Sequence, residues 1–258
     1  MASVTFILRL TCSATETKMG DQMMPPMLAF DIYGTLIDTR AVITQLAQWL
    51  PNEAAQFVTL WREKQLEYSF RRGLMRSPCD FAVPTRDALD YCCDQLGCDL
   101  TETQRAQLMA HYARLPAFAD AATGLAEAKA RGFRLCAFSN GSQKTVTHLL
   151  RQAGLLPYFE QVVSVEVVGS FKPHPQVYQH VLTTMQVQAQ DSWLISGNAF
   201  DVIGADQQGF HTAWIQRNPQ QAFDVWRTDT GPVQPSLVRP GLEALAAHIG
   251  HYLDQQQP

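Results

Sequence analysis

Polar residues close several short apolar runs along this chain: Asp31, Ser139, Asn140, Lys172, Ser196, Asn198 and Asp201. A polar side chain in that place costs solvation unless it has a partner or a task, so the recurrence points to one shared site. Asp31 carries the chemistry with most reach. A carboxylate held by neighbouring N–H groups can attack an electrophilic carbon and form an ester. Taken alone, Asp31 reads more often as a cap on the segment after it, and Lys172, before Pro173, as a solvated loop lysine.

The runs before these residues are apolar throughout and bounded by turn chemistry, the pattern of strands buried in a parallel sheet. Met27 to Phe30 ends at Asp31, ahead of Tyr33-Gly34-Thr35. Arg134 to Phe138 ends at Ser139-Asn140-Gly141, and Val162 to Val168 leads into Gly169 and Lys172-Pro173. Trp193 to Ile195 leads into Ser196-Gly197-Asn198, and Thr212 to Ile215 is a fifth run. Helical stretches alternate with them: Ala121 to Ala130, Ser142 to Gln152, Pro175 to Met185 and Asp201 to Gln208, three of which meet a glycine stop. This alternation predicts an α/β fold, a doubly wound Rossmann-like parallel sheet, with ligands bound beyond the carboxyl ends of the strands.

One segment breaks the alternation. Between the first and second strands the pattern is helical: Ala41 to Leu50, Ala54 to Arg72, Thr85 to Leu96 and Glu102 to Leu115, with Thr85, Asp99 and Thr101 as expected caps. The expected organisation is a disordered or mis-started tail over 1–26, a discontinuous core over 27–38 and 117–258, and an inserted four-helix cap subdomain over 39–116. After Asn218 the chain turns rich in Pro and Gly, then a last helix is expected from Leu242 to Leu253.

The composition bounds the function. The chain has 258 residues, 46% hydrophobic and 17% charged, which is enough to bury a core and excludes wholesale disorder. With 20 Lys+Arg against 24 Asp+Glu and no basic run, neither nucleic acid nor an anionic membrane is an expected partner. No stretch reaches the roughly 18 apolar residues of a spanning helix. Cys12, Cys79, Cys92, Cys93, Cys98 and Cys136 form no CxxC pair and have no paired His, so they read as idle or buried thiols in a reducing cytoplasm, not as a zinc site. His174 reads as an exposed loop residue and Asp38 as a helix cap.

The run Phe30-Asp-Ile-Tyr-Gly-Thr-Leu-Ile37 resembles the first motif of the haloacid dehalogenase superfamily, whose leading aspartate is the nucleophile. Ser139-Asn140, Lys172-Pro173 and Ser196-Gly-Asn-Ala-Phe-Asp201 fall where that superfamily has its other motifs. Leu60-Trp-Arg-Glu-Lys-Gln-Leu-Glu-Tyr-Ser-Phe70 is similar to the cap helix of its L-2-haloacid dehalogenase (type II) branch. The resemblance runs from Met27 to about Arg217.

The resemblance implies hydrolysis of short (S)-2-haloacids to (R)-2-hydroxyacids through an ester on Asp31. Two departures from the phosphatase pattern agree with it. Tyr33 stands where phosphatases carry a general acid, which a halide leaving group does not need. Ser196 stands where they carry a magnesium ligand, so no metal and no cofactor are expected. Arg62, with Asn140 and the ring of Phe200, would cradle the halide. Ser139 and the backbone N–H groups of Ile32 and Tyr33 would hold the substrate carboxylate, while Tyr33, Leu66 and Phe81 shape an apolar pocket. Asp201, oriented by Lys172, would act as base or water-positioning group for hydrolysis of the ester, supported by Thr35, Ser196 and Asn198. The expected partners are a small halogenated carboxylic acid and the halide product, with a homodimer implied by the relatives.

Plainer readings stand beside these. Arg62 could pair with a surface neighbour such as Glu67, Tyr178 could be helix core or a site hydrogen bonder, and Phe81 could be plain core. Glu63, where close relatives carry Gln, would weaken anion binding if it faced the site; Gly197 is often Ser. Two other functions compete: a small-molecule phosphatase of the same fold, and a catalytically silent binding relative.

Overall fold

The structure is a computed structural model that describes residues 25–256. All but the last two residues of the expected 1–26 tail, and Cys12, lie outside the described residues. In chain order the main elements are β1 (Met27–Asp31), α1 (Ile43–Leu46), α2 (Ala54–Leu74), α3 (Ala82–Leu96), α4 (Glu102–Tyr112), α5 (Ala121–Ala130), β2 (Arg134–Ser139) and α6 (Gln143–Gln152). They continue with β3 (Gln161–Ser164), α7 (Pro175–Met185), β4 (Ser192–Ser196), α8 (Ala199–Asp206), β5 (His211–Ile215), a short antiparallel pair β6 (Arg227–Thr228) and β7 (Gly231–Pro232), β8 (Leu237–Arg239) and α9 (Leu245–Gln256).

Six strands form one parallel sheet in the order β3-β2-β1-β4-β5-β8. β1 is buried at every position, as a strand between two parallel neighbours and under two helical layers must be. Chain order reverses beside it: β2 lies on one side and β4 on the other. Asp31 pairs with Phe138 of β2, whereas pairing with β4 stops one residue earlier, at Phe30. The crevice beyond β1 opens at that point, where open α/β sheets bind ligands.

Between β1 and β2 the chain is helical. Phe57 and Trp61 of α2, and Leu89 and Cys92 of α3, share one contiguous apolar cluster with Leu28 and Phe30 of β1 and Ile195 of β4. Burying that apolar surface is the main force holding the insert against the sheet. A second cluster, with Tyr178, Val181 and Phe210, packs against Met27, Ala29, Cys136 and Phe138.

Several boundaries move from their expected places. The run 162–168 is a strand only to Ser164; Val165–Val168 is a 3-10 turn, capped by the Ser164 hydroxyl accepting from the Glu166 N–H. An apolar run carries no periodicity to distinguish the two. The expected helix 41–50 breaks into a 3-10 turn over Thr39–Val42 and the single turn α1; Asp38 caps the former. α3 starts at Ala82, so Thr85 is not its cap: Asp80 accepts from the Ala82 N–H, and Thr85 bonds back to the Phe81 carbonyl. Thr101 does cap α4, through a reciprocal capping box with Gln104. β8 was not apparent in the Pro/Gly-rich stretch, because three mixed residues carry too little pattern to mark a strand.

The α5–α9 side depends on one close approach. A Cβ at Gly124 would lie 2.5 Å from Leu242 Cβ and 2.9 Å from its carbonyl oxygen. Gly124→Ala therefore lowers the thermal midpoint despite its better helix propensity. Overpacking of this kind costs about 1–3 kcal/mol, roughly 2–4 °C per kcal/mol in a chain of this size. Differential scanning calorimetry checks it; an unchanged or raised midpoint would mean that α5 and Leu242, in the segment before α9, are not packed this tightly.

Candidate active site

β1 delivers Asp31 to the crevice and the next residues wrap back over it. The N–H groups of Thr35, Leu36 and Ile37 all point to the Ile32 carbonyl, and Gly34 turns the chain with φ +87°, a left-handed conformation that favours glycine. The turn returns the Thr35 hydroxyl to Asp31 Oδ2 at 2.7 Å, while Thr35 Oγ1 accepts the Gly197 N–H at 2.8 Å. On the outer side, Arg217 donates to the Thr35 carbonyl and pairs with Asp120.

The loop after β4 supplies a second donor to the same carboxylate oxygen. Asn198 Nδ2 donates to Asp31 Oδ2 at 2.8 Å and to the Tyr33 carbonyl at 3.0 Å; its Oδ1 accepts from Arg62 at 3.2 Å. Gly197 allows the two loops to meet, since a Cβ there would collide with the Gly34 carbonyl oxygen. That accounts for the glycine.

Lys172 enters from the loop after β3. Its ammonium group donates to Asp31 Oδ1 (3.1 Å), Asp201 Oδ2 (2.8 Å) and the Phe138 carbonyl (2.9 Å), which uses all three protons. Its backbone N–H donates to Asn140 Oδ1 at 2.9 Å. Asp31 Oδ2 thus has two donors and Oδ1 one, leaving Oδ1 the freer lone pairs. Behind the lysine, Tyr178 donates to Asp201 Oδ1 at 2.9 Å; α8 comes this close because Gly204 has no Cβ to meet the tyrosine hydroxyl.

Burial sets the ionisation of this group. It raises the Asp201 carboxyl above its ordinary value, and Lys172 pulls it partly back. Burial works against the charged form of Lys172, but Asp201 and Asp31 together hold it above the ordinary lysine value. Burial also raises the hydroxyls of Tyr33, with Tyr112 beside it, and of Tyr178. Tyr33 therefore stays neutral, part of the apolar wall.

A small cavity lies over Asp31. Its lining is Asp31, Tyr33, Arg62, Leu66, Phe81, Ser139, Asn140, Lys172, Asn198 and Phe200. Ten of the fifteen residues singled out from the sequence thus converge there. The other five stand behind the wall: Ile32 is core, Thr35 and Ser196 brace the loops, and Asp201 and Tyr178 are fully buried behind Lys172.

α2 carries Arg62 and Leu66 on one face, as their spacing implies. Ser69 is buried on the same side but bonds to the Leu66 carbonyl. Glu63 is exposed and borders a groove with Ala55 and Thr59, so it does not face the cavity. Glu67 pairs with Lys64 and Arg71, not with Arg62. Arg62 forms no ion pair among the described residues; its guanidinium donates to Gln65 Oε1 (2.7 Å), the Tyr33 carbonyl (3.3 Å) and Asn198.

Sequence reasoning missed Gln65 and Tyr112. The Tyr112 ring stacks on Tyr33 at 5.7 Å, and its hydroxyl donates to Gln65 Oε1 at 3.0 Å. The available signal for Gln65 was an uncharged polar residue on the apolar face of α2. Nothing local marks Tyr112. His174 is exposed and caps α7. Cys92, Cys93 and Cys98 are buried free thiols, and burial pushes Cys92 up to about 12. Among the described residues no group of three His, Cys, Asp or Glu side chains could hold a metal ion, and no helix is long and apolar enough to cross a membrane.

A family model for haloacid dehalogenase-like hydrolases matches residues 26–209. The (S)-2-haloacid dehalogenase of Pseudomonas sp. (strain YL) is 37% identical over 190 residues, covering 74% of this chain and 82% of that protein. Haloacetate dehalogenase H-2 of Moraxella sp. (strain B) is 34% identical over 213 residues, covering 82% and 95%. Among solved structures, L-2-haloacid dehalogenase from Xanthobacter autotrophicus superimposes with a TM-score of 0.79 at 32% identity, over 88% of this chain and 99% of that one. The same enzyme with chloropropionic acid covalently bound gives 0.78. With the family model matching most of the chain and relatives above 30% identical over about three quarters of it, the protein is a member of the haloacid dehalogenase-like hydrolase family.

Proposed function

We propose that the protein hydrolyses short (S)-2-haloacids to (R)-2-hydroxyacids through an ester on Asp31, without a metal. One observation carries the proposal: the cavity sets a carboxylate, Asp31, opposite a guanidinium, Arg62, that has no carboxylate of its own. Asp31 Oδ1 attacks the halogen-bearing carbon, the carbon–halogen bond breaks with its electron pair leaving on the halide, and the carbon inverts. Arg62, Asn140 and Phe200 receive the halide, so positive charge stands where negative charge grows. Ser139 and the N–H groups of Ile32 and Tyr33 hold the substrate carboxylate; Leu66, Phe81 and Tyr33 exclude water.

In the second step water adds to the Asp31 carbonyl carbon. As the water adds, the Lys172 ammonium passes one of its protons to Asp201 and takes one from the water, while Thr35 and Asn198 steady the carbonyl oxygen. Ser196 holds the Asn198 loop and Tyr178 holds Asp201. Cleavage of the bond between the Asp31 carbonyl carbon and the substrate oxygen returns the proton taken up by Asp201 to the departing alkoxide, releasing the hydroxyacid, and loss of the water's second proton to solvent restores the Asp31 carboxylate. Ser196, at the position where the phosphatases carry a magnesium ligand, supports metal independence, because it leaves no carboxylate there to hold the ion.

Halide release from the two enantiomers of 2-chloropropionate, with and without chelator, tests the reading. The (S) enantiomer is consumed at the same rate in both conditions, and Asp31→Asn lowers the rate by more than about 10³-fold. Magnesium-dependent phosphate release from p-nitrophenyl phosphate without halide release would favour the phosphatase instead. Arg62→Met lowers kcat by roughly 10²–10³-fold, the size of effect seen when one transition-state donor is removed.

The pH profile gives a second test. Asp201 accepts a proton only when ionised, so the rate falls as pH drops through its pKa, which burial places above the ordinary carboxylate range. Tyr178→Phe removes a hydrogen bond that favours the ionised form. The acid limb of kcat therefore moves to higher pH; a limb that stays in place would remove Asp201 from the proton transfer.

The free thiols Cys79, Cys92, Cys93, Cys98 and Cys136 favour a reducing compartment, the cytoplasm. Exposed Leu74 and Met75 at the end of α2 favour an apolar contact with a second copy, a homodimer. Light scattering on Leu74→Glu/Met75→Glu checks it: the parent is a dimer and the variant a monomer.

A further inference from the structure

We infer that Gln65 is a positioning residue that anchors Arg62 without neutralising it, and so keeps one guanidinium charge open to an anion in the cavity. The inference rests on the dehalogenase reading and concerns how that site keeps its charge.

Gln65 is almost fully buried, 1% exposed, one helical turn from Arg62 on α2. Its Oε1 accepts from Arg62 Nη1 at 2.7 Å and from the Tyr112 hydroxyl at 3.0 Å. Its Nε2 donates to Thr85 Oγ1 at 2.6 Å, and Thr85 in turn spends its proton on the Phe81 carbonyl at 2.7 Å. Each direction is forced. A guanidinium can only donate, so the oxygen of the amide must face Arg62; Thr85 has already used its proton, so the nitrogen must face Thr85. The amide cannot be flipped, and every polar atom of the side chain is used.

A carboxylate of the same size would fail in two ways. Glutamate at this position would form a buried ion pair with Arg62, and its second oxygen would meet the lone pairs of Thr85. α2 keeps its carboxylates elsewhere: Glu63 is exposed, and Glu67 is held by Lys64 and Arg71. The other cavity cation, Lys172, is already shared by Asp31 and Asp201. Arg62 is therefore the cation left for a ligand among those lining the cavity, and a neutral acceptor holds it there. Gln65 also ties this cation to two walls of the cavity, through Tyr112 against Tyr33 and through Thr85 to the backbone at Phe81.

The test compares Gln65→Glu with Gln65→Met, reading kcat and, separately, chloride binding from quadrupolar line broadening of chloride titrated against each protein. If Gln65 only fills the core, neither variant changes chloride binding by more than about threefold. If it keeps Arg62 uncommitted, Gln65→Glu does and Gln65→Met does not. Gln65→Glu weakens chloride binding by about tenfold or more, as expected for pairing the cation. Gln65→Met leaves chloride binding within about threefold but lowers kcat about tenfold, because the cation is present and no longer held in place. The inference is overturned if Gln65→Glu binds chloride within threefold of the parent, or if Gln65→Met loses as much affinity as Gln65→Glu. Should Gln65→Glu not fold, Gln65→Met decides alone: a tenfold loss of kcat with chloride binding kept supports the inference, and a smaller loss overturns it. If the parent releases no halide from any 2-haloacid, the dehalogenase reading fails by itself, and the chloride titrations still decide whether Gln65 leaves Arg62 open.

Discussion

The buried ammonium of Lys172 between Asp31 and Asp201 is the constraint around which the crevice is built. Removing such charges from water costs several kcal/mol per ion unless geometry and hydrogen bonds compensate. Here three acceptors surround one ammonium and use its three protons, at 2.8–3.1 Å. Those acceptors come from β1, the end of β2 and α8, while the lysine itself lies on the loop after β3. One side chain therefore ties together the ends of four segments that are far apart in the chain. Asp31 receives a fixed orientation from the same contact, before any substrate is bound.

The two cations divide the work by location. Lys172 is spent internally, balancing two carboxylates, and its charge is not free to recruit a ligand. Arg62 approaches from the opposite side, on a helix of the insert, and its partners are an amide, a carbonyl and a second amide. That asymmetry lets a chain with net charge −4 present a positive group to an anionic molecule. The apolar wall completes the arrangement: Tyr33 lies against Phe81 and Tyr112, and Phe200 meets Phe70 edge to face. A low-dielectric surrounding strengthens each remaining charge.

The strands and the residues that close them were readable because a buried parallel strand is apolar throughout, so Asp31, Ser139 and Ser196 each stand out at an end. The helical insert was readable from its periodicity and its Gly and Pro stops. Short or ambiguous pieces were not. The run after Gln161 divides into strand and 3-10 turn on a single serine cap, and β8 rests on three residues paired with a strand about 24 positions away. Thr85 has the residue type of a cap yet sits inside α3, because the helix begins at Ala82, whose N–H is taken by Asp80, and Thr85 is drawn into the Gln65 network.

The sequence by itself determined the chemical inventory: which residue types stand at the strand ends, and that Arg62 and Leu66 share a helix face. These are local properties of spacing and residue type. Only the tertiary structure decided which of these groups reach the cavity and which stand behind it. Asp201 and Tyr178 lie one layer back because Lys172 intervenes; Glu63 turns outward; Gly197 is glycine because the Gly34 carbonyl occupies the space of a side chain. Gln65 and Tyr112 matter through contacts with partners three, 20 and 47 residues away. Whether a cation is spent or free depends on what the fold places within hydrogen-bond reach, and that is a property of packing, not of spacing along the chain.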